Sequence, residues 1–258
     1  MRFLLVTFAS SFMHHFALIG HPLGHSLSQT LFDEAFAGRH DYVMLDIESL
    51  DSLRQIIKEH RLSGFNVTIP YKLKILPFLD RLTPEAEEVG AVNCVRIESD
   101  GTLTGHNTDS EAFFYQLRMS CSTLPERALI LGTGGAARAV ASALRRMGID
   151  YRFVSRNPSI HLSITPVISY EEAYAMTDAV SLIVNATPVG MAPISDKSPW
   201  DRPELFSKKQ LIYDIIYTPS PTRLMREAAA MGAMVKDGLE MLRRQALLSW
   251  ESWGIIDR

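Results

Sequence analysis

The residues with the plainest chemistry are Gly132-Thr133-Gly134-Gly135-Ala136-Ala137, which follow an apolar run, Ala128–Leu131, and open a stretch of small and apolar residues reaching Met147. Between a strand and a helix, this spacing is what a dinucleotide pyrophosphate requires. Gly132 permits a tight turn, Gly134 lets the backbone approach the phosphates, and Ala137 is small enough for close helix–strand packing. The amides of Gly135 and Ala136 fall at the helix N-terminus, where the dipole favours negative charge. The alternative is a glycine-rich turn with no ligand.

The strand that follows selects the dinucleotide. An NAD site commonly ends it with an acid that takes the ribose hydroxyls, but here it ends Val154-Ser155-Arg156-Asn157. Arg156 can instead hold a 2′-phosphate through charge-assisted hydrogen bonds of roughly 1.5–3 kcal/mol each. NADP(H) is therefore the expected cofactor, with a solvated surface arginine as the other reading of Arg156.

Polar residues in the first half cluster where an ordinary core would not place them. Ser26 and Ser28 follow the first apolar run and can bind a carboxylate or hydroxyl, although Ser28 also suits a helix N-cap. Asn66 and Thr68 share one face by the two-residue period, and Lys72 follows the turn at Pro70. Asn93 and the run His106-Asn107-Thr108-Asp109 make two further loop clusters. Each alone is more often a turn than a site.

The elements that must position these residues alternate between extended and helical patterns. Strands are expected at Phe16–Gly20, Tyr42–Ile47 and Gly64–Ile69, with helices at Ser28–Ala37, Ser49–His60, Tyr71–Leu79 and Pro84–Val89. A hairpin is expected across Ser99-Asp100-Gly101 between Val92–Glu98 and Thr102–Gly105, then a long helix over Thr108–Met119. The second half supplies strands at Ala128–Leu131, Tyr151–Ser155, Ala179–Asn185, Leu211–Ile216 and Ala233–Lys236. Pro158 and Pro166 work against a regular crossover helix in Asn157–Ser169. The pattern is that of an α/β protein with a parallel sheet covered on both faces.

At 258 residues the chain is long enough for two ordinary domains. With 47% hydrophobic and 21% charged residues it has the composition of a globular protein. A net charge of −3 without clustered Lys and Arg argues against nucleic acid. Its two cysteines and the absence of a Cys-x-x-Cys motif fit a reducing, cytoplasmic setting. Met1–Phe12 loosely resembles a signal peptide but is too short to span a membrane, so Met13 is a candidate start and residues 1–12 an extension. No metal is expected, since His14, His15, His21 and His25 lack acids at ligand spacing.

Taken together, GHPLGHSLS, GFNVTIPYK, GAVNCV, GHNTD, GTGGAAR, NATPVGM, YDIIY and DGLEMLRRQA resemble the shikimate dehydrogenases in order and spacing, from about Phe16 to the C-terminus. The resemblance implies a substrate domain over residues 13–107, with a helix at 239–253 packing back on it. It implies a Rossmann-like NADP-binding domain over 108–238, and an active site in the cleft between the two. Lys72 and Asp109 would be the acid–base pair for reversible reduction of 3-dehydroshikimate to shikimate, a step toward aromatic amino acids. Ser26 and Ser28 would receive the substrate carboxylate, with Thr68 and Tyr217 nearby, and Asn93, Asp109 and Gln245 would contact ring hydroxyls. Asn185 and Thr187 would lie beneath the nicotinamide, with Gly238 and Met241 close to it. The small-molecule substrate is the expected partner, for a monomer or homodimer without membrane attachment. The chain departs from the family pattern at Ser155-Arg156-Asn157, where Asn-Arg-Thr is usual, and at Ile160, His106 and Cys94. A quinate/shikimate dehydrogenase using NAD, a pterin- or folate-dependent dehydrogenase of similar two-domain plan, against which NVTIPYK with NTD speaks, and a nucleotide-sensing homologue without catalysis are the other readings.

Overall fold

The computed structural model describes residues 13–24, 26–159 and 166–257. The expectations for residues 1–12, for His25 and for Ile160 lie outside the described residues. Contacts divide the chain into two units, one running up to Thr108 and resuming at Arg243, the other spanning Asp109–Leu242.

The chain begins β1 (His15–Gly20), α1 (Leu27–Phe36), β2 (Asp41–Asp46), α2 (Leu53–Glu59), β3 (Leu62–Val67) and α3 (Tyr71–Lys74). Next come β4 (Arg81–Leu82), α4 (Pro84–Val89), β5 (Cys94–Ile97) and β6 (Leu103–His106). These strands form one sheet in the order β2-β1-β3-β5-β6-β4, parallel through the first three and antiparallel at β3–β5 and β5–β6.

After α5 (Thr108–Ser120) come β7 (Arg127–Leu131), α6 (Gly135–Arg146), β8 (Asp150–Val154), β9 (Val167–Ile168), α7 (Tyr170–Ala175) and β10 (Leu182–Asn185). The chain ends with β11 (Leu211–Asp214), α8 (Arg223–Ala230), β12 (Met234–Lys236) and α9 (Leu239–Ser252). The second sheet, ordered β12-β11-β10-β7-β8-β9, is parallel at every pairing.

Several boundaries differ from expectation for identifiable reasons. Ser26, not Ser28, caps α1: it has extended backbone and its Oγ accepts the Ser28 N–H at 3.2 Å. The helix expected from Ser49 begins at Leu53, because Ser49 and Asp51 close a turn on each other at 2.6 Å and 3.1 Å. Pro77, which has no N–H to give, breaks the Tyr71–Leu79 helix into α3 and a 3₁₀ turn over Leu76–Phe78. The strand expected from Ala179 begins at Leu182, because Ala179 ends a 3₁₀ turn over Thr177–Ala179 that is held by the buried Gln210 amide, which reaches Thr177 O and Val180 O at 3.2 Å each. Among the described residues between Arg156 and Val167 there is no helix.

In the first unit, alternation along β1 sends Ala17 and Ile19 to one face with Leu53, Phe65 and Ile75, and Phe16 and Leu18 to the other. That second face is closed by α1 and by α9 with the turn after it, through Phe32, Phe36, Trp250 and Trp253. Trp253 stacks on Phe16 at 4.3 Å, and its indole N–H donates to Val95 O at 3.0 Å. A Cβ on Gly64 would lie 2.6 Å from this indole, so the strand lacks a side chain where the ring sits. In the second unit Leu129, Leu131, Ile183 and Ile212 pack with Trp200, Phe206 and Leu224.

Candidate active site

In the first unit the parallel order β2-β1-β3 makes a topological switch beside β1, where α/β folds gather ligands at the strands' carboxyl ends. Both neighbouring exits carry expected site residues. Beyond β1, the chain from Gly20 leads to Ser26 and Ser28; beyond β3, Thr68 leads to Lys72 in the first turn of α3. The exits approach closely, since a Cβ on Gly20 would lie 2.5 Å from Thr68 Cγ2 and 2.6 Å from Leu23 Cδ2. Asp46, at the end of β2, fastens the β1 loop by accepting Leu23 N–H at 2.9 Å and pairing with His21 Nδ1 at 2.7 Å. The Leu23 amide and then His21 hold its carboxyl below the ordinary aspartate range. The α3 turn is tied down by Tyr71 O–H donating to Ile47 O at 2.5 Å and Val92 N–H donating to Lys72 O at 2.8 Å.

Asn93 and Gln245 also meet in this unit. Asn93 Nδ2 donates to Gln245 Oε1 at 3.3 Å and to Thr108 Oγ1 at 2.8 Å, while Asn93 Oδ1 accepts Thr108 N–H at 2.7 Å. Behind them the buried Asn66 accepts Tyr42 O–H at 3.0 Å and donates to Asn93 O at 3.2 Å and Ser249 Oγ at 2.9 Å. Asn66 therefore braces the Asn93 loop from within the unit. Tyr42 and Ser249 were not singled out in the sequence. The signal for Ser249 was available, because it falls four residues after Gln245 on the same helix face.

The second unit has its own switch point, between β7 and β10. The glycine loop leaves β7 there and Asn185-Ala186-Thr187 leaves β10. Gly132 has φ +104, and a Cβ would lie 3.1 Å from Thr187 Cγ2 and 3.2 Å from Ala186 O, so the two turns touch. Gly134 caps α6 and faces open space, with nothing within 4 Å of a built Cβ. The first helical bond is Arg138 N–H to Gly134 O, so the amides of Gly135, Ala136 and Ala137 precede the helix ladder. A vacant approach at Gly134 beside three helix-terminal amides fits a pyrophosphate. Arg156 is exposed after β8, while Ser155 Oγ and Asn157 Oδ1 accept amides of their own turn at 3.1 Å and 3.3 Å.

Asn185 is fully buried, and both ends of its amide are engaged. Its Nδ2 donates to Asp214 Oδ1 at 3.0 Å and Val189 O at 3.2 Å; its Oδ1 accepts Thr187 N–H at 3.0 Å and Thr187 O–H at 2.7 Å. It shapes the turn from below. Asp214 also accepts Thr222 O–H at 2.8 Å and Ile216 N–H at 3.1 Å, and burial raises its carboxyl to about 6 against those three donors. Gly238 is buried because the backbone passes against β11: its Cβ would fall 1.9 Å from Ile215 O. Met241 is buried and Tyr217 half-buried.

Among the described residues no cluster of three His, Cys, Asp or Glu could hold a metal, and no helix is long and apolar enough to cross a membrane. Residues 18–95 match the family model of the shikimate dehydrogenase substrate binding domain. The Shikimate dehydrogenase (NADP(+)) of Salinibacter ruber is 36% identical over 92% of this chain and 90% of its own. The crystal structure of shikimate dehydrogenase 1 from Peptoclostridium difficile superposes with a TM-score of 0.86 at 33% identity, covering 95% of this chain and 93% of that one. The shikimate 5-dehydrogenase of Thermus thermophilus, solved in complex with NADP(H) and shikimate, superposes with a TM-score of 0.83 at 36% identity and 95% coverage of each chain. On this likeness along nearly its whole length, the chain belongs to the shikimate dehydrogenase family.

Proposed function

We propose that this chain catalyses the reversible NADPH-dependent reduction of 3-dehydroshikimate to shikimate, in the cytosol, as a monomer or homodimer. The observation that carries the reading is the likeness to the Thermus thermophilus enzyme bound to NADP(H) and shikimate, at 36% identity across 95% of both chains. NADPH, when bound, supplies the hydride. The glycine-loop amides would hold its pyrophosphate, Arg156 its 2′-phosphate, and the turn at Ala186–Thr187, with Gly238 and Met241, its nicotinamide end.

Reducing a ketone also requires a proton at the developing alkoxide. Lys72 delivers that proton as an ammonium and recovers one from solvent, while Asp109, in the first turn of α5, orients it and stabilises its charge. In the reverse direction the same pair accepts the hydroxyl proton. Ser26 and Ser28 take the substrate carboxylate with Thr68 and Tyr217, and Asn93 and Gln245 read ring hydroxyls. Positioned acid–base groups contribute roughly 10²–10⁴ in rate.

The test follows reduced-nicotinamide absorbance with shikimate and either NADP⁺ or NAD⁺, the Lys72→Ala variant beside the parent. Turnover with NADP⁺ is expected, with kcat lower in the variant by about 10²–10⁴. Faster turnover with NAD⁺ would reduce Arg156 to a surface residue. No turnover with either cofactor would overturn the assignment in favour of a nucleotide sensor.

A further inference from the structure

The mechanism above leaves one fully buried carboxylate unused. Asp214, at the end of β11, has no measurable exposure and no ion pair among the described residues. A buried charge without a cation is costly unless hydrogen bonds satisfy it. Here three donors converge: the Asn185 amide and the Ile216 N–H on Oδ1, and the Thr222 hydroxyl on Oδ2. Only a side chain with two acceptor oxygens and no donor takes all three at once.

What this arrangement determines is the orientation of Asn185. An amide can be turned end for end, exchanging its donor and acceptor. Because the Asp214 carboxylate and the Val189 carbonyl both accept only, together they commit Asn185 Nδ2 to their side and leave Oδ1 facing Thr187, with Asp214 the nearer of the two at 3.0 Å against 3.2 Å. Oδ1 then gathers the Thr187 N–H and O–H, and Thr187 Oγ1 in turn accepts Val189 N–H at 3.2 Å. The resulting turn is the one that abuts Gly132 of the glycine loop. A continuous chain of contacts thus runs from a carboxylate in the core to the mouth of the dinucleotide cradle.

We propose that Asp214 is a positioning residue for the cofactor: it fixes the Asn185 amide and thereby holds the Ala186–Val189 turn in the shape that receives the nicotinamide end of NADP(H). The proposal rests on the dehydrogenase reading, and binding measured apart from turnover keeps the two separable. NADP⁺ affinity is read by titration calorimetry on the full chain, and the KM values for NADP⁺ and shikimate by steady-state kinetics, for Asp214→Ala, Asp214→Ser, Asp214→Asn and Thr222→Val.

Asp214→Ala leaves the Asn185 amide and the Thr222 hydroxyl without their acceptor. It should raise the NADP⁺ Kd and KM at least tenfold, on the order expected for one unpaired buried donor, while the shikimate KM rises by less, since the substrate residues on the β1 and β3 exits are untouched and only Tyr217, which follows Ile216, lies near the change. Asp214→Ser keeps a polar group in the pocket, carries the same expectation, and serves where the alanine variant does not fold. Asp214→Asn can present its oxygen to Asn185 and Ile216 and its NH₂ to Thr222, and should bind NADP⁺ within a few-fold of the parent. Thr222→Val removes the same carboxylate's other bond and a helix cap, so it should lower Tm yet leave NADP⁺ affinity within about twofold. Parent-like NADP⁺ binding in the alanine or serine variant would overturn the proposal. So would an equal rise in the shikimate KM, or a loss in Thr222→Val as large as in Asp214→Ala. A parent that does not bind NADP⁺ at all would refute the dehydrogenase reading instead.

Discussion

Asp214 also gives the molecule a titration that belongs to folding. Burial raises its carboxyl to about 6, and hydrogen bonds from Thr222, Ile216 and Asn185 oppose the rise without cancelling it. In the unfolded chain the same group titrates near 3.9. Between those values the folded protein binds a proton that the unfolded one has released. The stabilisation from this site is therefore complete below about pH 4 and is lost as pH rises through about 6. Asp214→Asn carries no such proton. Denaturant unfolding of parent and variant at pH 4 and pH 7.5 should show the variant gaining on the parent by about 2 kcal/mol on going up, from about 1.4 kcal/mol per pKa unit with the unfolded carboxyl already half ionised at pH 4. Parallel pH profiles for the two proteins would show that Asp214 does not titrate with this shift. Asp46 behaves oppositely: its lowered value places its contribution at higher pH, lost on acidification, but it lies at the surface and the effect is small.

At the scale of elements, two glycines at turn positions separate packing from ligand space. Gly238 sits where β12 hands over to α9, and a methyl group there would meet the Ile215 carbonyl at 1.9 Å, backbone against backbone. Neither side can give, so Gly238→Ala should cost about 1–3 kcal/mol or more of stability. Gly134 begins α6 with φ −76 and nothing within 4 Å of a built Cβ. Gly134→Ala should therefore melt within about a degree of the parent while losing NADP⁺ affinity, because its methyl enters the space left for the pyrophosphate. Thermal melts beside calorimetric titrations check both, and a Gly134→Ala variant that binds NADP⁺ normally would remove the pyrophosphate from that loop. The glycine loop was legible in the sequence because its signal is local, and so was α4, whose Thr83 cap and Pro84 lie side by side. The start of α1 was not, since Ser26 and Ser28 are both capping types and only backbone conformation separates them. Helix α7 follows a poorly patterned proline-flanked stretch, although Ser169 and Glu172 form a capping box that was present to be read. Asp214 and Ser249 interrupt otherwise apolar runs. Such a pattern says that a polar group is buried without saying what it meets, because the partners Asn185 and Asn66 come from distant parts of the chain.

For the whole molecule, the consequential feature is that the first unit's core is completed by the end of the chain. The face of its sheet bearing Phe16 and Leu18 packs against α1 and against Ala246, Trp250, Trp253, Ile255 and Ile256. Removing a single large aromatic side chain from a core costs about 3–5 kcal/mol, and a domain's entire stability is about 5–15 kcal/mol. Loss of two buried tryptophans together with two isoleucines exceeds what this unit can spare. It would also uncover an apolar sheet face, which a monomeric protein does not tolerate in solution. The second unit has a core of its own, drawn from Leu129, Ile183, Trp200, Ile212 and Leu224. A chain ending at Leu242 should therefore lose the cooperative unfolding transition of the first unit and all shikimate binding. It should keep a transition for the second unit, with protection of the β7, β10 and β11 amides in hydrogen exchange. The same experiment on Trp250→Ala and Trp253→Ala should show a graded version, lowering stability of the first unit by several kcal/mol each while NADP⁺ affinity holds. Shikimate binding that survives removal of residues 243–258 would mean that the substrate unit is stabilised chiefly by α1 and its other sheet face, and α9 would become a dispensable cover.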